Sequence, residues 1–156
     1  MRLPLVALLL SSTFALAAPP NLKLLYLGDK GHHLPKARFD QLEPVMAKRG
    51  IALTYTDSLD ALTLDNLNRY DGLVIYANHD RGKPEHVKAI VDYVEAGKGF
   101  IPLHCASFCF NTDEDYIKLV GAQFRSHTTG VFRTKTTKPD HPIMQGCDSF
   151  ECWDET

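Results

Sequence analysis

Gly97-Lys98-Gly99-Phe100-Ile101-Pro102-Leu103-His104-Cys105-Ala106-Ser107 is the stretch on which the reading of the fold turns. A Gly-Lys-Gly stop opens a short apolar run, residues 100–103, which then breaks into small, chemically capable side chains. An apolar run of that length after a glycine turn predicts a buried strand. Open α/β sheets bind ligands in the crevice outside the carboxyl ends of their strands. His104, Cys105 and Ser107 are therefore expected at a ligand-binding rim. The competing reading is a buried turn with Cys105 and Ser107 as packing residues, since unbonded cysteine is often a small buried hydrophobe.

Outward from this run the pattern repeats. Residues 84–95 predict a helix, with Pro84 in its first turn and Val87, Ile90, Val91 and Val94 toward the core. Before it, Gly72-Leu73-Val74-Ile75-Tyr76 reads as a buried strand ending in Ala77-Asn78-His79-Asp80. Residues 59–67 read as a loop with a short helix, capped by Thr63 or Asp65, and residues 51–56 as a strand. Residues 36–49 predict a helix with Phe39, Leu42, Val45 and Met46 on one stripe and Gly50 as its stop; Pro44 is an awkward member. Residues 22–27 form a first strand, followed by Gly31-His32-His33 in a loop. Downstream, residues 112–115 start a helix whose apolar face is Tyr116, Ile117, Leu119 and Val120, closed by Gly121. Residues 131–137 alternate as a strand, and a turn with two prolines follows. Strands alternating with helices predict the α/β class, with a mainly parallel sheet and helices on both faces.

A chain of 156 residues has the length of about one domain. Hydrophobic residues at 44% and charged residues at 23% describe a globular composition. Net charge is −2 without a basic block, so no nucleic-acid partner is expected. Residues 1–18 stand apart: Arg2, a largely apolar run over residues 3–16, and the small-x-small step Ala15-Leu16-Ala17. This predicts a secretory signal peptide, an exported (periplasmic or extracellular) protein, and one mature domain over residues 22–156. The alternative, a membrane anchor, suffers from a run short for a span, so no membrane association is expected after cleavage. Export permits oxidation of Cys105, Cys109, Cys147 and Cys152, in any of three pairings.

Strand-end loops each bring a histidine: His32 or His33, His79, and His104, with His127 in a later loop. Imidazole is both a metal ligand and a proton shuttle near neutral pH. A mononuclear site needs three or four ligands; His33, His79, His104 and His127, with Glu155, are candidates to hold a divalent transition metal such as zinc. Asp154 and Glu155 are adjacent carboxylates suited to general acid/base work, and Trp153 before them suits a sugar face. Against these stand ordinary loop histidines, a solvated chain end and core aromatics. Cys105 as nucleophile is disfavoured, because residues 103–107 lack the Gly-x-nucleophile-x-Gly pattern.

These motifs together resemble the ThuA-like (trehalose-utilisation) family, whose fold is similar to class I glutamine amidotransferases. The residues that carry the resemblance are Gly31-His32-His33, the 70–76 strand, Gly97-Lys98-Gly99-Phe100 and His104-Cys105-Ala106-Ser107. They continue with Leu119-Val120-Gly121-Ala122-Gln123-Phe124, Ser126-His127, His141-Pro142-Ile143 and Trp153-Asp154-Glu155. The resemblance implies a flavodoxin-like three-layer α/β sandwich and a link to glycoside metabolism through keto-sugar chemistry. Glutaminase activity is not implied, because the elbow glycines and a His-x-Glu pair are missing. Family members continue past the Asp-Glu segment while this chain reaches only Thr156, so a C-terminal truncation belongs to the expectation. The functional expectation is an exported carbohydrate-active protein in which His104, His127, Asp154 and Glu155 do the chemistry. His33, His79, Ser107 and Trp153 would bind a small carbohydrate. The alternative is a non-catalytic sugar-binding or assembly module, and a homodimer is compatible with either.

Overall fold

Four strands, β1 (Leu22–Leu27), β2 (Ile51–Thr56), β3 (Gly72–Ile75) and β4 (Gly99–Pro102), form one parallel sheet in the order β2-β1-β3-β4. The structure, a computed structural model, describes residues 21–155; the signal peptide expected over residues 1–18 lies outside the described residues. Parallel neighbours need crossovers, and α1 (Pro35–Ala47), α2 (Leu64–Leu67) and α3 (Pro84–Glu95) provide them, with α4 (Glu114–Val120) following β4. No helix among the described residues is long and apolar enough to cross a membrane.

Successive strand residues point to opposite sides of a sheet, so two cores arise from one set of strands. On one side Leu25, Leu27, Leu73 and Ile75 pack with Leu67 of α2, Ile90 and Tyr93 of α3, and Tyr116 of α4. On the other, Leu24, Tyr26 and Val74 pack with Phe39 and Leu42 of α1 and with Tyr55 and Tyr76. Helices on both sides make the three-layer arrangement expected from the alternation.

Local signals explain most boundaries. Thr63 Oγ1 accepts from the Asn66 N–H (3.3 Å) and caps α2. Asp113 caps α4 through the N–H groups of Asp115 and Tyr116, and Gly121 closes it at φ 76°. Pro44 lies inside α1, which starts at Pro35 and ends at Ala47. Val45 is 44% exposed and off the packed stripe. It sits one position from Met46, about 100° around the helix, and so turns away from the sheet.

Two expectations change downstream of α4. The strand read over residues 131–137 is β5 (Thr129–Arg133), and residues 151–155, for which no element was expected, form β6 (Glu151–Glu155). They pair antiparallel as a separate two-stranded sheet, Val131 opposite Trp153. Thr134-Lys135-Thr136-Thr137 continue the strand-like composition, but the ladder ends where its partner does, at Arg133↔Glu151.

Candidate functional site

Three loops meet at the carboxyl edge of the sheet, and one carboxylate joins two of them. Asp29, just after β1, accepts from the Gly31 N–H (2.6 Å) and, across the sheet edge, from the Asn78 N–H after β3. His79 Nε2 meets the Gly28 carbonyl at 2.9 Å, adding a second tie between the same loops. The His79 carbonyl accepts from the Phe110 N–H (2.8 Å), which brings in the segment after β4. Gly28 is required by close approach: a Cβ there would lie 2.6 Å from Tyr55 Oη and 2.8 Å from Pro35 Cβ.

Beyond β4 the Leu103 N–H still reaches the Ile75 carbonyl (2.9 Å), and the chain then turns sharply at His104, φ 47°. A non-glycine residue in that region is uncommon and signals a locally enforced turn. A 3-10 turn, His104–Phe108, follows, with Ser107 Oγ donating to the His104 carbonyl (3.1 Å). The sequence placed a possible elbow at Cys105; the turned residue is the histidine before it, and Cys105 is buried.

The His104 ring meets His33 edge-on, with centroids 4.8 Å apart, and His33 lies 4.1 Å from His32. These side chains, with Asn78, Cys105 and Ser107, line a cleft of about 490 Å³, whose other wall is Phe108, Phe124, Ser126 and His127. The Phe124 N–H donates to the Ser107 carbonyl (3.1 Å), which seats the His127 loop against the 3-10 turn. His127 lies 5.7 Å from the Phe124 ring. The volume falls in the range of about 300–1,000 Å³ typical of small-molecule sites.

Of the residues expected from sequence, His33, His104, Ser107 and His127 line this one cleft. His79 does not; its ring faces the Gly28 carbonyl. Trp153 is 69% exposed in the terminal hairpin. Asp154, next to it, acts on Tyr76, while Glu155 pairs with Thr129 through the β6 backbone and its side chain lies outside what is described. Among the described residues no three His, Cys, Asp or Glu side chains gather as a metal-holding group.

Sequence reading missed Tyr76, which is not among the residues lining the cleft but lies beside two of its imidazoles. The Tyr76 ring lies 6.1 Å from both His33 and His104. Burial raises its phenol pKa, and Cys105 and Asp154 add to the rise; the Arg38 side chain opposes it by its charge and by a hydrogen bond. Tyr76 had a signal, a polar tip ending an apolar strand at the rim. Cys109, in contrast, is a packing residue: its thiol donates to the Ala77 carbonyl (2.9 Å), and burial pushes its pKa up to about 12. Among the described residues, no disulfide joins Cys105, Cys109, Cys147 and Cys152.

The sequence pattern of ThuA, described as trehalose utilisation, matches residues 23–156. The chain belongs to the ThuA family. A ThuA-like protein from Bacteroides uniformis has a similar crystal structure, with TM-score 0.74 and 16% identity over 93% of this chain and 64% of its own. Another, from Parabacteroides merdae, gives TM-score 0.71 and 15% identity over 88% of this chain and 62% of its own. This ThuA-family chain thus spans less than two thirds of the length of either solved relative. At such identity the likeness speaks for the fold, which is the one the motif resemblance implied. None of the curated proteins matches the chain.

Proposed function

We propose that this ThuA-family protein is an exported carbohydrate-active protein whose cleft performs acid/base chemistry on a small keto-sugar. The observation that carries the reading is the edge-on pair His33 and His104, 4.8 Å apart in a cleft of small-molecule size. Imidazoles exchange protons near neutral pH. One of the pair removes the proton on the carbon beside the sugar carbonyl, and the electron pair of that C–H bond moves to form an enediolate. The other imidazole donates a hydrogen bond to the oxygen that gains charge, and return of the proton to carbon completes the cycle. His127 and Ser107 bind hydroxyl groups, and Phe108 and Phe124 supply an apolar wall. Asp154, Glu155 and Trp153 keep in this reading the roles expected of them from the sequence. The export component rests on the signal-like residues 1–18.

The test is deuterium wash-in at the carbon beside the carbonyl of a keto-glycoside, followed by NMR in heavy water. Wild type is expected to exchange that position, and His104→Ala to slow exchange by about a hundredfold. Exchange untouched by His104→Ala sinks the acid/base role. Saturable sugar binding without exchange leaves the non-catalytic binding module. A second reading, favoured by the same imidazole pair, has His33 and His104 holding a divalent transition metal such as zinc. About one equivalent of metal by elemental analysis, lost in His104→Ala and His33→Ala, is its expected signature.

A further inference from the structure

The two outer strands of the parallel sheet are unlike. Among the described residues β2 has β1 as its single neighbour and β4 has β3, so each leaves a row of backbone groups open. In β4 the Gly99 and Leu103 N–H groups reach the Asp71 and Ile75 carbonyls (3.0 and 2.9 Å), so Phe100 and Pro102 turn their backbone outward. Pro102 has no N–H to offer, and a proline in that place blunts a sheet edge. In β2 the Gly50 and Thr56 carbonyls accept from the Leu22 and Gly28 N–H groups (3.1 and 2.8 Å), so the even-numbered residues face β1. Ile51, Leu53 and Tyr55 therefore point their N–H and C=O groups away from the sheet. Ile51-Ala52-Leu53-Thr54-Tyr55-Thr56 has no charge, proline or glycine, and its one-to-one register with β1 contains no bulge.

An edge without such guards is a template for another strand. This one is complementary to itself. About a two-fold axis through Leu53, two antiparallel copies set Leu53 against Leu53 and Ile51 against the partner's Tyr55, each pair exchanging both hydrogen bonds. On the α1 side this aligns Ile51, Leu53 and Tyr55, which already pack against Leu24, Tyr26 and Val74. On the opposite side Ala52 meets the partner's Thr54, both small and exposed in the single chain. The same axis brings Arg49, just before one β2, to the end where the partner's Asp57 follows the other. Arg49 Nη1 donates to the Val45 carbonyl (3.1 Å), which leaves the other guanidinium N–H groups for that carboxylate. An axis one residue later, through Thr54, would set Asp57 against the partner's Ile51 and Arg49 against its Leu59. Charge therefore favours the axis through Leu53.

We propose that the open edge of β2 receives a second copy of this chain, the two β2 strands pairing antiparallel about Leu53 so that the sheets of both copies become one. An Arg49–Asp57 pair at each end of the new ladder sets the register. The blunted β4 edges stop growth at two copies. No residue lining the cleft belongs to β2, so the pairing does not occupy the cleft.

Sedimentation equilibrium of the purified chain tests this. A dimer is expected at concentrations on the order of 10 μM. Arg49→Asp and Asp57→Arg, each alone, set like charges together at both ends of the ladder. Each is expected to weaken the dimer about tenfold or more, with the far-UV circular dichroism spectrum unchanged. Asp57 also lies 3.6 Å from Lys30 of its own chain, an exposed contact of little weight, so its replacement leaves the fold intact. Mixed in equal amounts, the two variants bring opposite charges to both ends again, and a heterodimer about as tight as the wild-type dimer is expected. A chain still monomeric at about 100 μM overturns the proposal. A dimer indifferent to both reversals, or an assembly larger than two, overturns β2 as the interface. A mixture no tighter than either variant alone overturns the antiparallel register.

Discussion

On the side of the sheet covered by α2, α3 and α4, Leu73, Ile75 and Ile90 are completely buried; on the side covered by α1, Ile101, beside Val74, is 42% exposed. The two sides share the same strands and differ in what lies over them. The closed side is filled largely with aliphatic groups. The open side is aromatic: the Tyr26, Phe39 and Tyr55 rings contact one another, and Tyr76 packs against the same cluster. Stability and chemistry are thereby separated. The fully buried side anchors the strands, and the partly covered side leads through Tyr76 into the imidazole cluster.

The largest effect is expected from Leu73→Ala, which empties a fully buried position on the closed side. A loss of about 2–5 kcal/mol should appear in urea unfolding. Gly28→Ala probes the boundary between core and site. Its new Cβ meets Tyr55 and the ring of Pro35, so a cost of about 1–3 kcal/mol is expected. The same substitution should displace the loop bearing His32 and His33, and weaken the proposed sugar binding more than its stability loss explains. Ile101→Thr on the open side should change stability by about 0.5 kcal/mol or less. A loss there equal to that of Leu73→Ala would erase the distinction between the sides.

At neutral pH the least visible effect concerns two buried acids of the closed side. Burial raises the Cys109 thiol from 9.0 to about 12. For Tyr93 burial, aided by the Asp71 charge, raises the phenol from 10.0 to about 12. Both are neutral in the folded chain over a range where the unfolded chain has released its protons. Their contribution to stability is therefore full below about pH 9 and is lost as pH rises toward about 12. Urea midpoints should be flat up to the start of that window and fall through it. A flat profile to its upper end would mean that these groups reach solvent in the folded state.

Much of the fold was legible in sequence. Residues 22–27, 51–56 and 84–95 read as the elements they form, because apolar periodicity, prolines in a first turn and glycine stops all act within a few residues. The misreadings fall where pairing decides. Residues 134–137 look like strand and are not, and residues 151–155 carried no strand signal and are strand, since a hairpin needs both partners in place. Within the site, the histidines were visible as a class. Their assignment was not: His33 and His104 meet, while His79 serves as a tie to Gly28, 51 residues away.

By itself, the sequence determined the α/β class, the order of elements, the family resemblance and the histidine-bearing strand ends. These follow from short-range rules of backbone preference and from which side chains repeat at which spacing. Only the tertiary structure decided the strand order β2-β1-β3-β4, the partner of β6, the left-handed turn at His104 and the meeting of His33 with His104. Each of these depends on contacts between residues distant in the chain. No local propensity encodes which of several equivalent loops or strands will become neighbours.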